Sequence, residues 1–374
     1  MFKHAIATVG MSIDEIDTPA LLLDLDAFER NLVHLADFGN AHSIQLRPHA
    51  KTHKCPEIAG LQIKHGAIGV CCQKVSEAEA MVAGGIKDVL ISNEVVGSKK
   101  IDRLMNLARE STISVCVDNS ENLKAIETAV RQSVVNLSIL IEVDVGGNRC
   151  GLQPGSAVPK LAQEIVASPF LSFKGLHAYH GGAQHLRNFE ERKEAIATAT
   201  GKVKECVDLL RTEGIECATV TGAGSGTFPF ETASGVYNEI QAGSYIFMDA
   251  DYARNLNQAG ENWNDFEHSL FIYSTVMSMK TRRVGIVDAG LKALSVDSGM
   301  PIVIDRGEAE YEVAGDEHGK VNLFDSNSTL SLGEKIRLIP GHCDPTINMH
   351  DWIIGIRKEK VESIWPITAR GPGI

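Results

Sequence analysis

Between residues 20 and 221 eight short apolar runs alternate with seven helix-spaced segments. The runs cover 20–25, 43–46, 67–72, 88–91, 113–117, 137–145, 171–178 and 218–221. Most lack an apolar–polar alternation, as parallel strands covered on both faces do. Helical spacing occupies 27–38, 56–64, 76–82, 98–110, 120–132, 157–167 and about 189–213, with Gly39 and Gly84-Gly85 as stop signals and Pro56 as a first-turn residue. Eight such units predict a closed (β/α)8 barrel, a TIM barrel, rather than an open doubly wound sheet. After about Asp251 the texture changes. Shorter alternating runs at 271–276, 284–287, 302–304, 336–339 and 352–356 are punctuated by Gly, Asp and Asn. They predict an antiparallel C-terminal β domain. We place the barrel at 19–254 and the β domain at 255–374, with residues 1–18 packed on the latter.

The bulk properties narrow the function classes. A chain of 374 residues with 44% hydrophobic content has material for a large core. Its net charge of −12 argues against a nucleic-acid or membrane-surface partner. No apolar run reaches spanning length, and residues 1–12 lack the pattern of a secretory leader. The eight cysteines show neither paired zinc spacing nor a disulfide framework, so a reducing cytoplasm is expected.

A barrel keeps its chemistry at the C-terminal ends of its strands. Those ends bear Asp24, His49, Lys51, Gln73, Asn93, Asp118, Asp144, Arg149, Tyr179, His180 and Ser225. The second strand opens into Arg47, His49, Lys51, His53 and Lys54. Crowded cations are costly unless an anion binds among them, and crowding pushes a lysine toward its neutral, nucleophilic form. Taken alone, the stretch also fits a solvated basic turn. The eighth strand runs into Gly222-Ala223-Gly224-Ser225-Gly226-Thr227, at the usual phosphate position of barrels. Gly243, Ser244 and Tyr245 follow closely enough to close the same cradle. A nucleophilic lysine and a phosphate cradle suggest pyridoxal phosphate, with Arg149 or Tyr179 tuning its pyridine nitrogen. The competing reading is a barrel aldolase whose lysine binds the substrate directly.

A second constellation is Pro340-Gly341-His342-Cys343-Asp344-Pro345-Thr346. In extended backbone, residues two apart share a side, so His342 and Asp344 can hold one divalent ion such as Mn²⁺, Mg²⁺, Co²⁺ or Zn²⁺. Cys343 then faces away, and His318 is a further candidate.

Longer motifs carry a family resemblance. They are Asp17-Thr18-Pro19-Ala20, the stretches 47–55, 69–77 and 91–95, Arg149-Cys150-Gly151, Ala178-Tyr179-His180-Gly181, 241–245 with Met248-Asp249, 287–292, 316–319 and 341–346. In these the chain resembles the D-threonine aldolases among fold-type III pyridoxal-phosphate enzymes. It is also similar to the 3-hydroxy-D-aspartate aldolases and, more distantly, the D-serine dehydratases. One departure is that family members have Gly, Thr and Ser where this chain has Ala223, Ser225 and Thr227.

The resemblance implies an alanine-racemase-type barrel with a β domain, assembled as a head-to-tail homodimer. Lys51 would carry the cofactor, with Gln73, Arg149, Tyr179, Gly224, Ser225, Gly226, Gly243, Ser244 and Tyr245 around it. His342 and Asp344 would hold the metal, Mn²⁺ first among the candidates. The expected reaction is a metal-assisted retro-aldol cleavage of a D-3-hydroxy amino acid to glycine and an aldehyde. A metal-bound water, His180 or His53 would take the hydroxyl proton. The stretch 47–57 is more similar to D-threonine aldolases, whereas 295–299 and 361–371 are more similar to 3-hydroxyaspartate aldolases. We therefore expect D-threonine-type substrates first and 3-hydroxy-D-aspartate second. A dehydratase is the further alternative, but that group carries cysteine at the Asp344 position.

Overall fold

The computed structural model describes residues 6–374. In chain order the first elements are β1 (Ala20–Asp24), α1 (Leu25–His42), β2 (Gln45–Leu46), α2 (Pro56–Lys64), β3 (Val70–Cys72), α3 (Val75–Ala83), β4 (Asp88–Glu94), α4 (Ser98–Glu110), β5 (Thr112–Val117) and α5 (Ser120–Ser133). They continue with β6 (Leu137–Glu142), α6 (Ala157–Ala167), β7 (Leu171–Ala178), α7 (Phe189–Thr212), β8 (Thr219–Gly222), α8 (Phe228–Ala233) and β9 (Glu239–Ile240). The remainder is β10 (Leu270–Thr281), β11 (Val284–Val287), β12 (Ile302–Val303), β13 (Ala309–Val313), β14 (Gly319–Leu323), β15 (Lys335–Ile339), α9 (Cys343–Ile347), β16 (Trp352–Arg357) and β17 (Lys360–Pro366).

Two compact units result. One comprises 35–243, 255–261 and the last two residues; the other comprises the segment up to His34, 244–254 and 262–372. In the first, β2 to β9 form an eight-stranded parallel sheet in the order β2-β9-β8-β7-β6-β5-β4-β3. Its two ends meet. Ile68 N–H donates to Leu46 O and Cys71 N–H to Pro48 O, both at 2.9 Å, which closes the barrel. Its interior holds Cys71, Leu90, Cys116 and Leu140, where two thiols serve as small apolar filler. The surrounding helices start where side chains replace missing backbone partners: Asn119 caps α5 and Asn188 caps α7. α1 runs past Gly39 rather than ending there. Leu46 packs where a Cβ of residue 39 would sit, so this glycine admits a close neighbour and is not a stop.

In the second unit, β1 and β10 to β17 make a nine-stranded sheet around Ala20, Leu22, Phe271, Tyr273 and Ile354. It is antiparallel except where β1 lies parallel to β16. This corrects the strand assignment. The apolar run at 20–25 is not the first barrel strand; β1 pairs with β10 and β16. Ala20 to Leu23 are wholly buried, and a strand covered on both faces reads alike in either sheet. The barrel is completed instead by β9, two residues long and too short to leave a pattern. Among the described residues no helix is long and apolar enough to cross a membrane, and all eight cysteines are free thiols.

Candidate active site

The basic cluster after β2 divides into parts with different duties. Arg47 is 1% exposed and lies inside the barrel. Its guanidinium meets Asp88 at 2.6 Å and Glu239 at 3.0 Å. Burial alone would lower its pKa, but these two carboxylates outweigh that and raise it. Lys54 pairs with Glu77 at 3.3 Å. The anions implied by the crowding are therefore partly the protein's own. His49, buried, is held neutral by desolvation and by the positive charge on Lys51. Its Nε2 lies 3.1 Å from Gln73 Nε2 and 3.2 Å from Ser92 Oγ. Lys51 follows in a short 3-10 turn, Ala50–Thr52, and is half-buried. Beside it, Thr52 Oγ1 is buried with no hydrogen-bond partner among the described residues. His53 is fully buried, and its Nδ1 accepts Cys55 N–H at 3.1 Å.

A polar belt crosses the barrel interior above the apolar layer. Glu94 ends β4, Cys116 sits on β5, Glu142 ends β6, and His177 faces Glu142 in register on β7. His177 Nδ1 lies 3.4 Å from Glu142 Oε2, and its Nε2 lies 3.2 Å from Gln241 Oε1. Gln241 in turn donates to Thr221 Oγ1 on β8 at 2.7 Å. Burial lowers the His177 pKa, but the Glu142 charge more than reverses this and raises it overall, while the His177 charge in turn lowers that of Glu142 against its own burial. Glu94, desolvated and next to that carboxylate, is raised to about 7. Cys116, Glu142 and His177 also bring their donor atoms within 4.8 Å of one another, a spacing that would suit a cation. Burial, however, holds the thiol protonated. The sequence reading missed this belt. Its members are single polar residues at the ends of apolar runs, and only the uncompensated Glu142 and His177 hinted at a pair.

Arg149 stands over the belt. Its Nη2 is 3.7 Å from Glu142 Oε1, and its guanidinium lies 5.9 Å from the centre of the Tyr179 ring. Its loop is braced by two strand-end carboxylates: Asp118 accepts Gly151 N–H at 2.9 Å, and Asp144 accepts Gly146 and Asn148 N–H at 3.0 Å each. Asn93 likewise donates to Gln73 O at 3.0 Å. These three candidates are thus loop supports, and Asp24 caps α1 in the other unit. His180 is half-buried, and desolvation followed by the charge of Lys202 lowers its pKa. Its Nδ1 is buried without a hydrogen-bond partner among the described residues.

After β8, Gly224, Ser225 and Gly226 are buried in a tight loop. Gly226 N–H donates to Gln184 Oε1 at 3.0 Å. Thr227 Oγ1 donates a hydrogen bond to Glu231 Oε1 at 2.8 Å and accepts one from Gln184 Nε2 at 2.7 Å, so this hydroxyl braces the loop. Ala223 has φ +67°, a left-handed conformation that costs a residue with a Cβ ~1 kcal/mol or more. Gly243 lies against Thr52 and His49. Ser244 and Tyr245 begin a buried 3-10 turn, Ser244–Ile246, in the second unit. The barrel mouth thus offers a lysine, a neutral histidine, a fixed guanidinium, a glycine-rich loop after the last long strand, and unsatisfied polar atoms. That donor set fits a phosphorylated pyridine aldehyde such as pyridoxal phosphate.

The His-x-Asp motif lies in the second unit, and its backbone departs from the expected strand. His342 is extended (φ −148°, ψ 125°) and caps α9, which places Asp344 in the first helical turn. The two still act on each other. Burial lowers the His342 pKa, but the Asp344 charge and the Asp297 hydrogen bond raise it overall. Cys343 is fully buried, its thiol directed to Met248 O at 3.2 Å, so it faces away from the pair. Asp249 accepts Cys343 N–H at 3.0 Å and clamps the turn. His318 lies in the turn before β14. An imidazole and a carboxylate in adjoining turns form a donor pair that fits a divalent cation.

Residues 23–251 match the alanine racemase N-terminal domain, and 269–356 match a putative serine dehydratase domain. The chain is 47% identical over 371 residues to a 3-hydroxy-D-aspartate aldolase of Paracoccus denitrificans, covering 98% of this chain and 95% of the relative. It is 46% identical over 368 residues to a D-threonine aldolase of Arthrobacter sp., covering 98% and 96%. The chain belongs to the D-threonine and 3-hydroxy-D-aspartate aldolase family. The crystal structure of D-threonine aldolase from Filomicrobium marinum superimposes with a TM-score of 0.95 at 47% identity, covering 98% of this aldolase and 99% of that chain. The aldolase therefore has the alanine-racemase-like fold, and it is a carbon–carbon lyase. Dehydratases of D-hydroxy amino acids are distant relatives.

Proposed function

We propose that this aldolase cleaves D-3-hydroxy amino acids of the D-threonine type to glycine and an aldehyde, using pyridoxal phosphate on Lys51 and a divalent cation on His342 and Asp344. The observation that carries the proposal is the barrel mouth. There Lys51 stands beside neutral His49, with Arg149 fixed above Glu142 and a glycine-rich loop after β8. Pyridoxal phosphate, once bound, supplies the electron sink for the pair released when the Cα–Cβ bond breaks. The cation supplies a Lewis acid at the 3-hydroxyl oxygen, which the cofactor does little to activate.

The remaining work falls to the protein. Ser225 and the backbone of Gly224 to Gly226 would hold the phosphate, with Gly243, Ser244 and Tyr245 as further candidates. Gln73 and Tyr179 would help to hold the ring. Arg149, a permanent cation, would serve as the partner of the pyridine nitrogen and disfavour its protonation. His180, kept neutral by desolvation, takes the hydroxyl proton. The full burial of His53 favours His180 as that base. A homodimer and a cytoplasmic, reducing location complete the reading, with Mn²⁺ as the preferred cation and Mg²⁺, Co²⁺ or Zn²⁺ as substitutes.

Product identification from D-threonine, with pyridoxal phosphate and Mn²⁺ supplied and again after chelation, tests this. We expect glycine and acetaldehyde, lost on chelation. Ammonia and 2-oxobutyrate would overturn the aldolase reading for this substrate in favour of a dehydratase. The 47% identity to a 3-hydroxy-D-aspartate aldolase favours one second reading, cleavage of that substrate to glycine and glyoxylate. The ratio of kcat/KM for the two substrates decides between them.

A further inference from the structure

Asp297 lies between β11 and β12, far in sequence from the His-x-Asp motif, yet its Oδ2 is 2.8 Å from His342 Nδ1. The contact is built from several sides. Ser295 donates to Asp297 Oδ1 at 2.7 Å, and Ser298 donates to Oδ2 at 3.0 Å. Ser298 Oγ also stands 3.3 Å from the same imidazole nitrogen. Arg254 holds the segment by donating to Ser298 O at 2.5 Å while pairing with Asp251. Ser295 N–H donates to Thr346 Oγ1 at 3.2 Å, and Thr346 donates to His342 O at 2.7 Å, which ties the loop to α9. The approach depends on a glycine: a Cβ on Gly341 would collide with the Gly299 carbonyl oxygen. The two backbones therefore press together immediately beside the Asp297–His342 bond.

We infer that Asp297 is a positioning residue for His342, presenting Nε2 rather than Nδ1 to the cation. The inference rests on the metal reading above and adds to it. A neutral imidazole has one N–H and one lone pair. A carboxylate accepting the Nδ1–H fixes the tautomer with its lone pair on Nε2, locks the ring's rotation and makes that nitrogen a stronger donor. Sequence spacing alone pairs His342 with Asp344. It says nothing of a third group 45 residues upstream.

The test uses the cofactor-loaded enzyme and Mn²⁺ alone, with free Mn²⁺ measured by electron paramagnetic resonance. Asp297→Ala should weaken Mn²⁺ binding ~10–100-fold. Asp297→Asn keeps an oxygen that accepts the Nδ1–H and should weaken it less than about fivefold, a partial rescue by the same orienting bond. The cofactor's visible absorption and the thermal midpoint should stay unchanged in both. Gly341→Ala, which leaves every carboxylate in place, should weaken Mn²⁺ as Asp297→Ala does. Wild-type affinity in Asp297→Ala would overturn the inference, as would an Asn variant as weak as the Ala variant, since the carboxylate would then ligate the cation itself. Undiminished Mn²⁺ binding in both His342→Ala and Asp344→Ala would instead remove the metal reading, and this inference with it.

Discussion

On the proposed function Lys51 and Asp344 would have separable duties, which single substitutions should divide. Asp344→Ala is expected to abolish cleavage of D-threonine while the cofactor stays bound through Lys51. A visible absorption spectrum alongside a glycine assay reads both effects, and cleavage at near-normal rate would end the metal's role. His180→Gln should slow kcat/KM by ~10²–10⁴-fold. Because the His180 pKa lies below its ordinary value of 6.5, the active neutral form persists until the pH falls below that value. The wild-type pH profile should then show an acid limb below pH 6.5 that the variant lacks. Both residues were legible in the sequence as candidates, because a lysine among cations and a His-x-Asp spacing are local signals. Arg47 was not. It stands in the same basic cluster, and only the barrel's curvature brings Glu239, nearly two hundred residues on, to its guanidinium.

The seam of β2, β4 and β9 turns on that ion triad. Arg47→Ala leaves the buried Glu239 carboxylate uncompensated and should cost about 3–5 kcal/mol in urea denaturation. At the β8–α8 connection the sign reverses with pH. Glu231 is buried and desolvation raises its pKa from 4.5 to about 7, so the folded state holds the proton more tightly than the unfolded chain. Its contribution is complete below pH 4.5 and is lost as the pH rises through 7. Glu231→Gln, which stays neutral, should therefore be more stable than the wild type at pH 8, by up to about 3 kcal/mol, and no more stable at pH 4.5. Thermal melts at the two pH values check this. The helices were legible from their spacing; α2, α4 and α6 fall where the periodicity places them. The short strands β9, β13 and β14 were not, since two to five residues carry too little pattern.

At the scale of the whole molecule, fold class was readable because repetition is a strong signal, while the membership of one strand was not. β1 has the composition of a barrel strand, and only long-range pairing assigns it to the other sheet. That assignment bears on how the chain is made. Residues 35–243 are contiguous and hold nearly the whole barrel, so this part can fold as it leaves the ribosome. β1 emerges first, yet it must wait for β10 and then for β16, close to the end of synthesis. A chain stopped at residue 350 lacks β16 and β17 and should leave β1 as a bare apolar edge, recovered in the insoluble fraction after lysis. During translation, then, Leu21, Leu22 and Leu23 await partners that are made late, and β16 covers the last open edge of a strand that ends wholly buried.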